Sequence, residues 1–143
     1  MQTVETYRGF VYPSDIDHIG HMNVQFYAKR FDEASWQFLA RLGLGPGFLK
    51  QQHRGLVALD QRTQYTREVL VGSLLHIETQ LIEIKTNTIR YLHRMIDSEW
   101  HECVATCELV VAYIDTTTRK STPLPDGVIE RKNVFLNAAT KSA

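Results

Sequence analysis

Two carboxylates and two histidines lie close together near the start of the chain. Residues 15–23 read DIDHIGHMN, so Asp15, Asp17, His18 and His21 directly precede a long helical pattern. A carboxylate can deliver water as a general base or attack a carbonyl carbon itself. The first N–H groups of a helix have no intrahelical partner and carry partial positive charge, so they stabilise an anion. These residue types at a helix start indicate acyl chemistry, with the developing oxyanion at the helix N-terminus.

Asp17 is our first candidate for the reacting carboxylate, either as a general base for water or as a direct nucleophile. The competing interpretation is that Asp17 only caps the turn, which is a common role for aspartate at a helix start. Asp15 is the better candidate for a purely structural brace. We expect His21 to donate a hydrogen bond that fixes the loop or the acid. We expect Asn23 to cap the helix or to contact the carbonyl under attack.

His18 and His21, beside two acids, also raise the question of a metal site. The intervening Gly20 favours a turn over a helix, and no third ligand stands at a recognised spacing. We therefore expect no metal ion, and the carboxylate chemistry requires no organic cofactor.

Two glutamates keep an alternative acid open. Glu33 in the helical pattern and Glu68 near a strand end could supply the carboxylate, although charges at such positions are more often solvated. No serine lies in a G-x-S-x-G sequence, so the serine nucleophile of an α/β-hydrolase is not expected.

A long amphipathic helix must position the turn. Apolar residues recur from Val24 to Leu42 at spacings of three and four, which is typical of one buried helical stripe. The stripe consists of Val24, Tyr27, Phe31, Ala34, Phe38 and Leu42. The residues expected mostly on the opposite face are Lys29, Arg30, Glu33, Gln37 and Arg41. Gly43 and the following Pro46 should end this helix.

The rest of the pattern is mostly strand. The predicted strands are residues 4–12, 56–70, 74–84, 88–97 and 101–115. Because the turns between them are short, we expect antiparallel neighbours. One helix cannot cover both faces of such a sheet, so a second copy should close a face or an edge. The sequence predicts one α+β domain, a long antiparallel sheet wrapped around one central helix. Its core should span about residues 4–125, with a C-terminal tail over 126–143 and at least a dimeric assembly.

Composition excludes several classes of partner. The 143 residues contain 16 Lys+Arg and 16 Asp+Glu, so the net charge favours neither nucleic acid nor an anionic membrane. The sequence has no apolar run of about 18 residues, and its polar first residues lack the apolar core of a signal peptide. We expect a cytoplasmic protein with no nucleic-acid or membrane partner.

Residues 15–23, followed by Phe26 and Tyr27, resemble the 4-hydroxybenzoyl-CoA thioesterase family of hot-dog proteins. In that family a D-x-D-x-x-G-H-x-N turn leads into the central helix. The likeness covers roughly residues 7–128 and includes residues 65–68 with Gly72, residues 111–115 and residues 122–125. The resemblance implies a hot-dog fold and the hydrolysis of an acyl-CoA to a free acid and coenzyme A. No cofactor is implied beyond the coenzyme A of the substrate.

The resemblance also implies roles for individual residues. The family's catalytic carboxylate falls on Asp17, and its oxyanion contact is a backbone N–H near Val24. The supporting roles that we expect for His21 and Asn23 come from the residues themselves. Many family members carry a second asparagine where this chain has Val24. A backbone donor is indifferent to that change, whereas side-chain contacts to the substrate would differ.

We also expect contacts to the substrate, of which only those to coenzyme A are implied by the resemblance. The acyl group would enter along the central helix near Tyr27 and Phe31, or across a subunit interface. Coenzyme A phosphates would contact basic residues near the hairpin between the third and fourth strands, for which Lys85 and Arg90 are the matching candidates.

Two other functions keep the fold and change the activity. A hydratase or dehydratase on an acyl thioester would use a catalytic histidine at the helix, for which His21 is available. A non-catalytic module would bind an acyl thioester without turnover. The sequence leaves open the acyl group, the carrier (coenzyme A or acyl carrier protein) and the choice between homodimer and homotetramer.

Overall fold

The computed structural model describes residues 2–132, and the predicted tail beyond residue 132 lies outside them. In chain order the elements are β1 (Val4–Phe10), a 3₁₀ turn (Pro13–Asp15), α1 (Val24–Arg41), α2 (Pro46–Gln51), β2 (Arg54–Tyr65), β3 (Leu74–Ile84), β4 (Thr88–Asp97), β5 (Glu102–Asp115) and β6 (Lys120–Ser121). Residues 127–132 are also helical. Among these helices, none is both long and apolar enough to cross a membrane.

One antiparallel sheet carries the fold. Its strand order is β1-β3-β4-β5-β2, with β6 paired to β5. The sheet packs around α1, whose buried side chains share one hydrophobic core with those of β3, β4 and β5. The predicted hot-dog fold, an α+β arrangement with one central helix, is confirmed.

The expectation that all consecutive strands pair is wrong for β2 and β3. The two hairpins β3–β4 and β4–β5 form as predicted, but β2 pairs with β5 at the far edge. Residues 66–73 connect β2, at the edge of the sheet, to β3, which lies between β1 and β4, and this crossing requires the sheet to curl around α1. Val69 anchors the connection, because its side chain is buried and its carbonyl accepts the Met22 N–H at 2.8 Å. The predicted strand 56–70 consequently ends at Tyr65.

Helix α1 matches the sequence expectation closely. It begins after Asn23, whose side chain accepts a hydrogen bond from the Gln25 N–H at 3.1 Å. It is followed by Gly43 at φ +85°, a conformation that glycine adopts without strain. The buried members of the predicted stripe are Tyr27, Phe31, Ala34, Phe38 and Leu42. Val24 is 59% exposed because it stands at the first turn, beside an open cavity.

Arg30 is a correction to the predicted polar face of α1. Its side chain is buried and forms an ion pair with Asp15, at 2.9 Å from Nη2 to Oδ2. The same Nη2 donates to the Phe10 carbonyl, and Nη1 donates to the Phe26 carbonyl. Helical periodicity could not reveal this, because Phe10 and Asp15, two of the partners of Arg30, come from β1 and the turn.

The packed core also extends past the predicted boundary at residue 125. Val128 is 2% exposed and belongs to the core cluster, and Leu124 packs against that cluster. The short helix α2 was not predicted. It begins at Pro46, a residue suited to the first position of a helix, and buries Leu49.

Candidate active site

The turn that holds Asp17 is closed by its own backbone. The Asp17 N–H donates to the His21 carbonyl at 2.9 Å, and the Gly20 N–H donates to the Asp17 carbonyl at 3.1 Å. Gly20 adopts φ +88°, which explains the need for glycine at this bend. The Asp17 Oδ1 accepts the Ile19 N–H at 3.0 Å, whereas its Oδ2 has no hydrogen bond to the described residues. A rigid turn therefore presents one free carboxylate oxygen.

Asp17 faces an open cavity of about 420 Å³ at the N-terminus of α1. Its wall combines the turn, the first helical residues and the segment that follows β2. The lining residues are Asp17, Ile19, His21, Met22, Val24, Tyr27, Tyr65, Thr66, Arg67 and Glu68. Four of the predicted site residues, Asp17, His21, Val24 and Tyr27, are thus brought together.

Asp15 lies outside this cavity and braces the turn. Its side chain is buried, and Oδ2 accepts hydrogen bonds from the Tyr12 N–H at 3.0 Å and from Arg30 at 2.9 Å. Burial by itself would raise the pKa of Asp15, but these hydrogen bonds and the charge of Arg30 outweigh it and hold the pKa below its usual value. Asp15 therefore stays ionised as part of the scaffold.

Glu68 contacts the turn from the other side of the cavity. Its Oε2 lies 2.5 Å from the Nε2 of His21, and both side chains remain partly exposed. The acid that the His21 side chain contacts is Glu68 and not Asp17. From the sequence, Glu68 was only an alternative to Asp17; the structure places both carboxylates around one cavity.

Two tyrosines form an aromatic corner in the same cavity. The rings of Tyr27 and Tyr65 meet at 85°, with centroids 4.9 Å apart. Burial raises the pKa of Tyr27, and the neighbouring Tyr65 and Glu68 raise it further. Burial also raises the pKa of Tyr65, assisted by the nearby Cys107. Both rings therefore remain neutral near pH 7.

The start of α1 supplies a free donor. Asn23 caps the helix through Gln25, which leaves the Val24 N–H without a hydrogen bond to any residue of the part of the chain that the structure describes. Val24 itself lines the cavity. An unpaired N–H at a helix N-terminus, beside a carboxylate, suits a carbonyl oxygen that becomes negative during attack.

Lys85 and Arg90 lie away from this cavity. Arg90 is opposite Val110 on β5, whereas Tyr65 is opposite Ala105, a separation of about 16 Å along the strand at ~3.3 Å per residue. Lys85 lies 3.8 Å from the carboxylate of Glu83, and Arg90 lies 3.8 Å from that of Glu108. Within one chain, these two candidates are not part of the Asp17 site.

The remaining candidates are separated in space. Glu33 lines a different cavity beside Arg30 and Tyr12. His18 is exposed on the turn. Between residues 2 and 132, no three His, Cys, Asp or Glu side chains are arranged to hold a metal ion.

Sequence reasoning missed Tyr65, Thr66 and Arg67 as cavity residues. They lie at the end of β2 and directly after it, and no local pattern shows that this edge of the sheet meets the start of α1. The one signal was the family likeness at residues 65–68, which gave no role to those residues.

The chain matches the family model of the thioesterase-like superfamily over residues 11–131. It is 23% identical over 137 residues to a betainyl-CoA thioesterase of Pseudomonas aeruginosa, covering 96% of this chain and 86% of that protein. It is also 23% identical over 116 residues to an L-carnitine dehydrogenase/betainyl-CoA thioesterase of Rhizobium meliloti. That match covers 81% of this chain but spans only 23% of the Rhizobium protein.

A solved structure is similar in fold. A hypothetical protein of Staphylococcus aureus, determined in complex with CoA, superimposes with a TM-score of 0.86 at 18% identity. The superposition covers 96% of this chain and 87% of the Staphylococcus chain.

Proposed function

Because the chain belongs to the thioesterase-like superfamily, we propose that it hydrolyses an acyl-CoA thioester to a free acid and coenzyme A. The observation that carries the proposal is the pairing of a free carboxylate oxygen on Asp17 with an unpaired helix N–H at Val24 around one cavity. Hydrolysis needs a group that delivers water and a donor for the oxyanion, and these two groups supply both.

Asp17 is the reacting carboxylate in this proposal. Its Oδ1 is held by the Ile19 N–H, so the side chain is oriented, while Oδ2 has no hydrogen bond to the described residues and Asp17 lines the cavity. Acting as a base, Oδ2 takes a proton from water, the hydroxide adds to the thioester carbonyl, and the C–S bond then breaks to release the thiol. Acting as a nucleophile, Oδ2 attacks the thioester carbonyl, the C–S bond breaks to release the coenzyme A thiolate, and a mixed anhydride forms. Water then hydrolyses the anhydride to the free acid and regenerates Asp17.

The Val24 N–H receives the developing oxyanion. Asn23 contributes by holding the helix start in place through the Gln25 N–H. His21 contributes by tying the turn to Glu68, which fixes the two sides of the cavity against each other. Tyr27 forms the buried wall against which the acyl group packs.

The acyl group and the carrier are further parts of the proposal. Both relatives described above are named as betainyl-CoA thioesterases. A trimethylammonio acyl group is therefore one candidate for the substrate of this chain. Lys85 and Arg90 are the candidates for contacting the phosphates of coenzyme A. They line a small cavity on the β3–β4 hairpin together with Glu83 and Thr88.

We also propose that the chain assembles in the cytoplasm as a homodimer along β2, or as a homotetramer of such dimers. Strand β2 is 12 residues long and pairs only with β5 in the described chain, so its outer edge is open. Leu59 and Val57 on this strand are 61% and 39% exposed. A long open edge that exposes Val57 and Leu59 is unfavourable in a monomer and favours pairing with a second copy.

The test is thiol release from a panel of acyl-CoAs by the parent protein and by Asp17→Asn. Loss of the carboxylate should lower kcat by about 10²–10⁴-fold. Asp32→Asn makes the same chemical change on an exposed residue of α1 outside the cavity and should retain the parental rate. An Asp17→Asn rate equal to that of the parent would remove Asp17 from the mechanism and favour Glu68. Absence of thiol release from every acyl-CoA would contradict hydrolysis.

A further inference from the structure

We propose that the Asp17 cavity selects an acyl group that carries a positive charge, and that Glu68 with the Tyr27–Tyr65 pair forms the cation subsite. The inference rests on the proposed function, in which this cavity holds the acyl thioester. It adds the substrate class and the residues that recognise it.

The charge around the cavity is negative. Two carboxylates, Asp17 and Glu68, line it, against a single guanidinium, Arg67. Arg67 is already paired with Glu102, which lies outside the cavity, at 3.1 Å. An acyl group with its own carboxylate would therefore meet like charge, whereas an acyl cation would meet opposite charge.

The two carboxylates have different surroundings, which separates their roles. Asp17 lies in the turn that leads into the helix, and its free Oδ2 shares the cavity with the unpaired Val24 N–H, as attack on a carbonyl needs. Glu68 is on the segment after β2 and is held in position by His21 at 2.5 Å. The contact with the Nε2 of His21 fixes one carboxylate oxygen of Glu68. Glu68 is thus an oriented carboxylate that lines the same cavity as the reacting groups.

The Tyr27–Tyr65 corner suits a cation that carries methyl groups. Both rings line the cavity and stay neutral, and their T-shaped contact fixes them without a hydrogen bond. Aromatic faces attract quaternary ammonium groups through the ring quadrupole, while the methyl groups pack against the ring carbons. A carboxylate beside such a corner adds charge attraction with no need for a hydrogen-bond donor on the ligand. The combination favours a tetraalkylammonium group over a hydrated primary ammonium.

A pair of isosteric ligands isolates the charge without requiring turnover. S-(2-trimethylammonioethyl)-CoA and S-(3,3-dimethylbutyl)-CoA are thioethers that differ only in N⁺ against C, and neither can be hydrolysed. Isothermal calorimetry on the parent protein should give a Kd at least about tenfold lower for the cationic ligand. Equal Kd values, tighter binding of the neutral ligand, or no binding of either ligand would overturn the inference.

Variants assign the preference to residues. Glu68→Gln should reduce the ratio of the two Kd values by about fivefold to tenfold, and Tyr65→Leu should reduce it by about threefold. Tyr65→Phe keeps the ring and should keep the ratio. The matched control is Glu33→Gln, an exposed glutamate that lines a different cavity, which should leave the ratio as in the parent. A ratio in Glu68→Gln equal to that in Glu33→Gln would overturn the assignment of Glu68.

Turnover of the corresponding thioesters separates this inference from the proposed function. Trimethylammonioacetyl-CoA should be hydrolysed with a higher kcat/KM than 3,3-dimethylbutyryl-CoA. Equal hydrolysis of both thioesters, with equal Kd values for the thioethers, would retain the thioesterase and reject the cation subsite. A Kd ratio that favours the cation, without hydrolysis of either thioester, would retain the cation subsite and reject the thioesterase.

Discussion

Two polar clusters contact helix α1, one in the core beneath its middle and one in the open cavity at its first residues. In the core, Ser35 bonds to His93 at 2.9 Å, and His93 bonds to Thr79 at 2.7 Å. Thr79 in turn bonds to Thr6 at 2.8 Å, so this cluster joins α1 to β4, β3 and β1. In the cavity, Asp17 and the Val24 N–H keep unused hydrogen-bonding capacity. The same helix thus has a closed polar cluster and an open one.

The hydrogen bonds of the core cluster allow only one assignment of donors and acceptors. Thr6 donates to the Ile77 carbonyl, so Thr79 must donate to Thr6. Thr79 has a single proton, so the Nδ1–H of His93 donates to Thr79 and Nε2 accepts from Ser35. His93 is therefore neutral with its proton on Nδ1, and burial lowers its pKa to about 3. Both ring nitrogens of His93 are bonded to side chains of the protein. His93 therefore helps to position α1 and has no free nitrogen for a ligand.

Asp15 and Asp17 repeat this contrast two residues apart. Asp15 is buried against Arg30, and Asp17 faces a cavity that neither Asp15 nor Arg30 lines. The difference teaches that residue type and spacing do not separate a structural acid from a reactive one. What separates them is whether the protein itself occupies the carboxylate's hydrogen-bonding positions.

The largest expected difference in stability is between Asp15→Asn and Asp17→Asn. Asp15→Asn leaves the buried Arg30 without its counter-ion and should lower the free energy of unfolding by about 3–5 kcal/mol. Asp17→Asn should change it by less than about 0.5 kcal/mol, because no ion pair is lost. Urea unfolding of both variants checks this. Similar midpoints for the two variants would contradict the division of roles.

Ser35→Ala should cost about 1–3 kcal/mol, because it leaves the buried Nε2 of His93 without a donor. Ser98→Ala is the matched control. It removes a Ser–His hydrogen bond of 2.7 Å to His76 at a part-buried site, where water can replace the hydroxyl. Thermal unfolding should therefore show a smaller decrease in Tm for Ser98→Ala than for Ser35→Ala. The reverse order would show that the Ser35–His93 hydrogen bond does not stabilise the fold more than the Ser98–His76 hydrogen bond.

Lowering the pH should reduce the free energy of unfolding, because His93 is neutral in the folded protein. In the unfolded chain a histidine takes up a proton near pH 6.5, whereas in the folded protein His93 stays neutral down to about pH 3. The unfolded state then binds more protons, so stability falls as the pH is lowered from about 6.5 towards 3, by about 1.4 kcal/mol per pH unit. Unfolding curves at several pH values measure the slope. The ring signals of His93 in NMR spectra should not titrate between pH 7.5 and 5, and a midpoint near 6.5 would refute its sealed environment.

Asn23→Ala tests the N-cap of α1, the residue between the Asp17 turn and the helix. Loss of the cap to the Gln25 N–H should lower the free energy of unfolding by about 1 kcal/mol. Asn23→Asp retains an acceptor oxygen and should restore most of that stability. If Asn23→Asp unfolds as easily as Asn23→Ala in urea, the side chain does not act as a cap.

Local patterns were sufficient for the elements themselves. The bounds of β3 and β4, the buried stripe of α1 and the Asn23 cap follow from alternation, helical spacing and capping preference, because these depend on residues close in sequence. The pairing of β2 with β5 could not be read in this way. It depends on how far the sheet curls, and that is a property of all its strands together.

What the sequence determined by itself was an acid-bearing turn fixed to the start of one central helix, because glycine, aspartate and asparagine act there over a few residues. Tertiary structure alone decided that Arg30 is buried against Asp15, and that Tyr65 and Glu68 complete the Asp17 cavity. These contacts join residues 15 to 51 positions apart in the chain, counted from Asp15 to Arg30 and from Asp17 to Glu68. Their energies depend on burial and distance, which arise only when the sheet has closed around the helix.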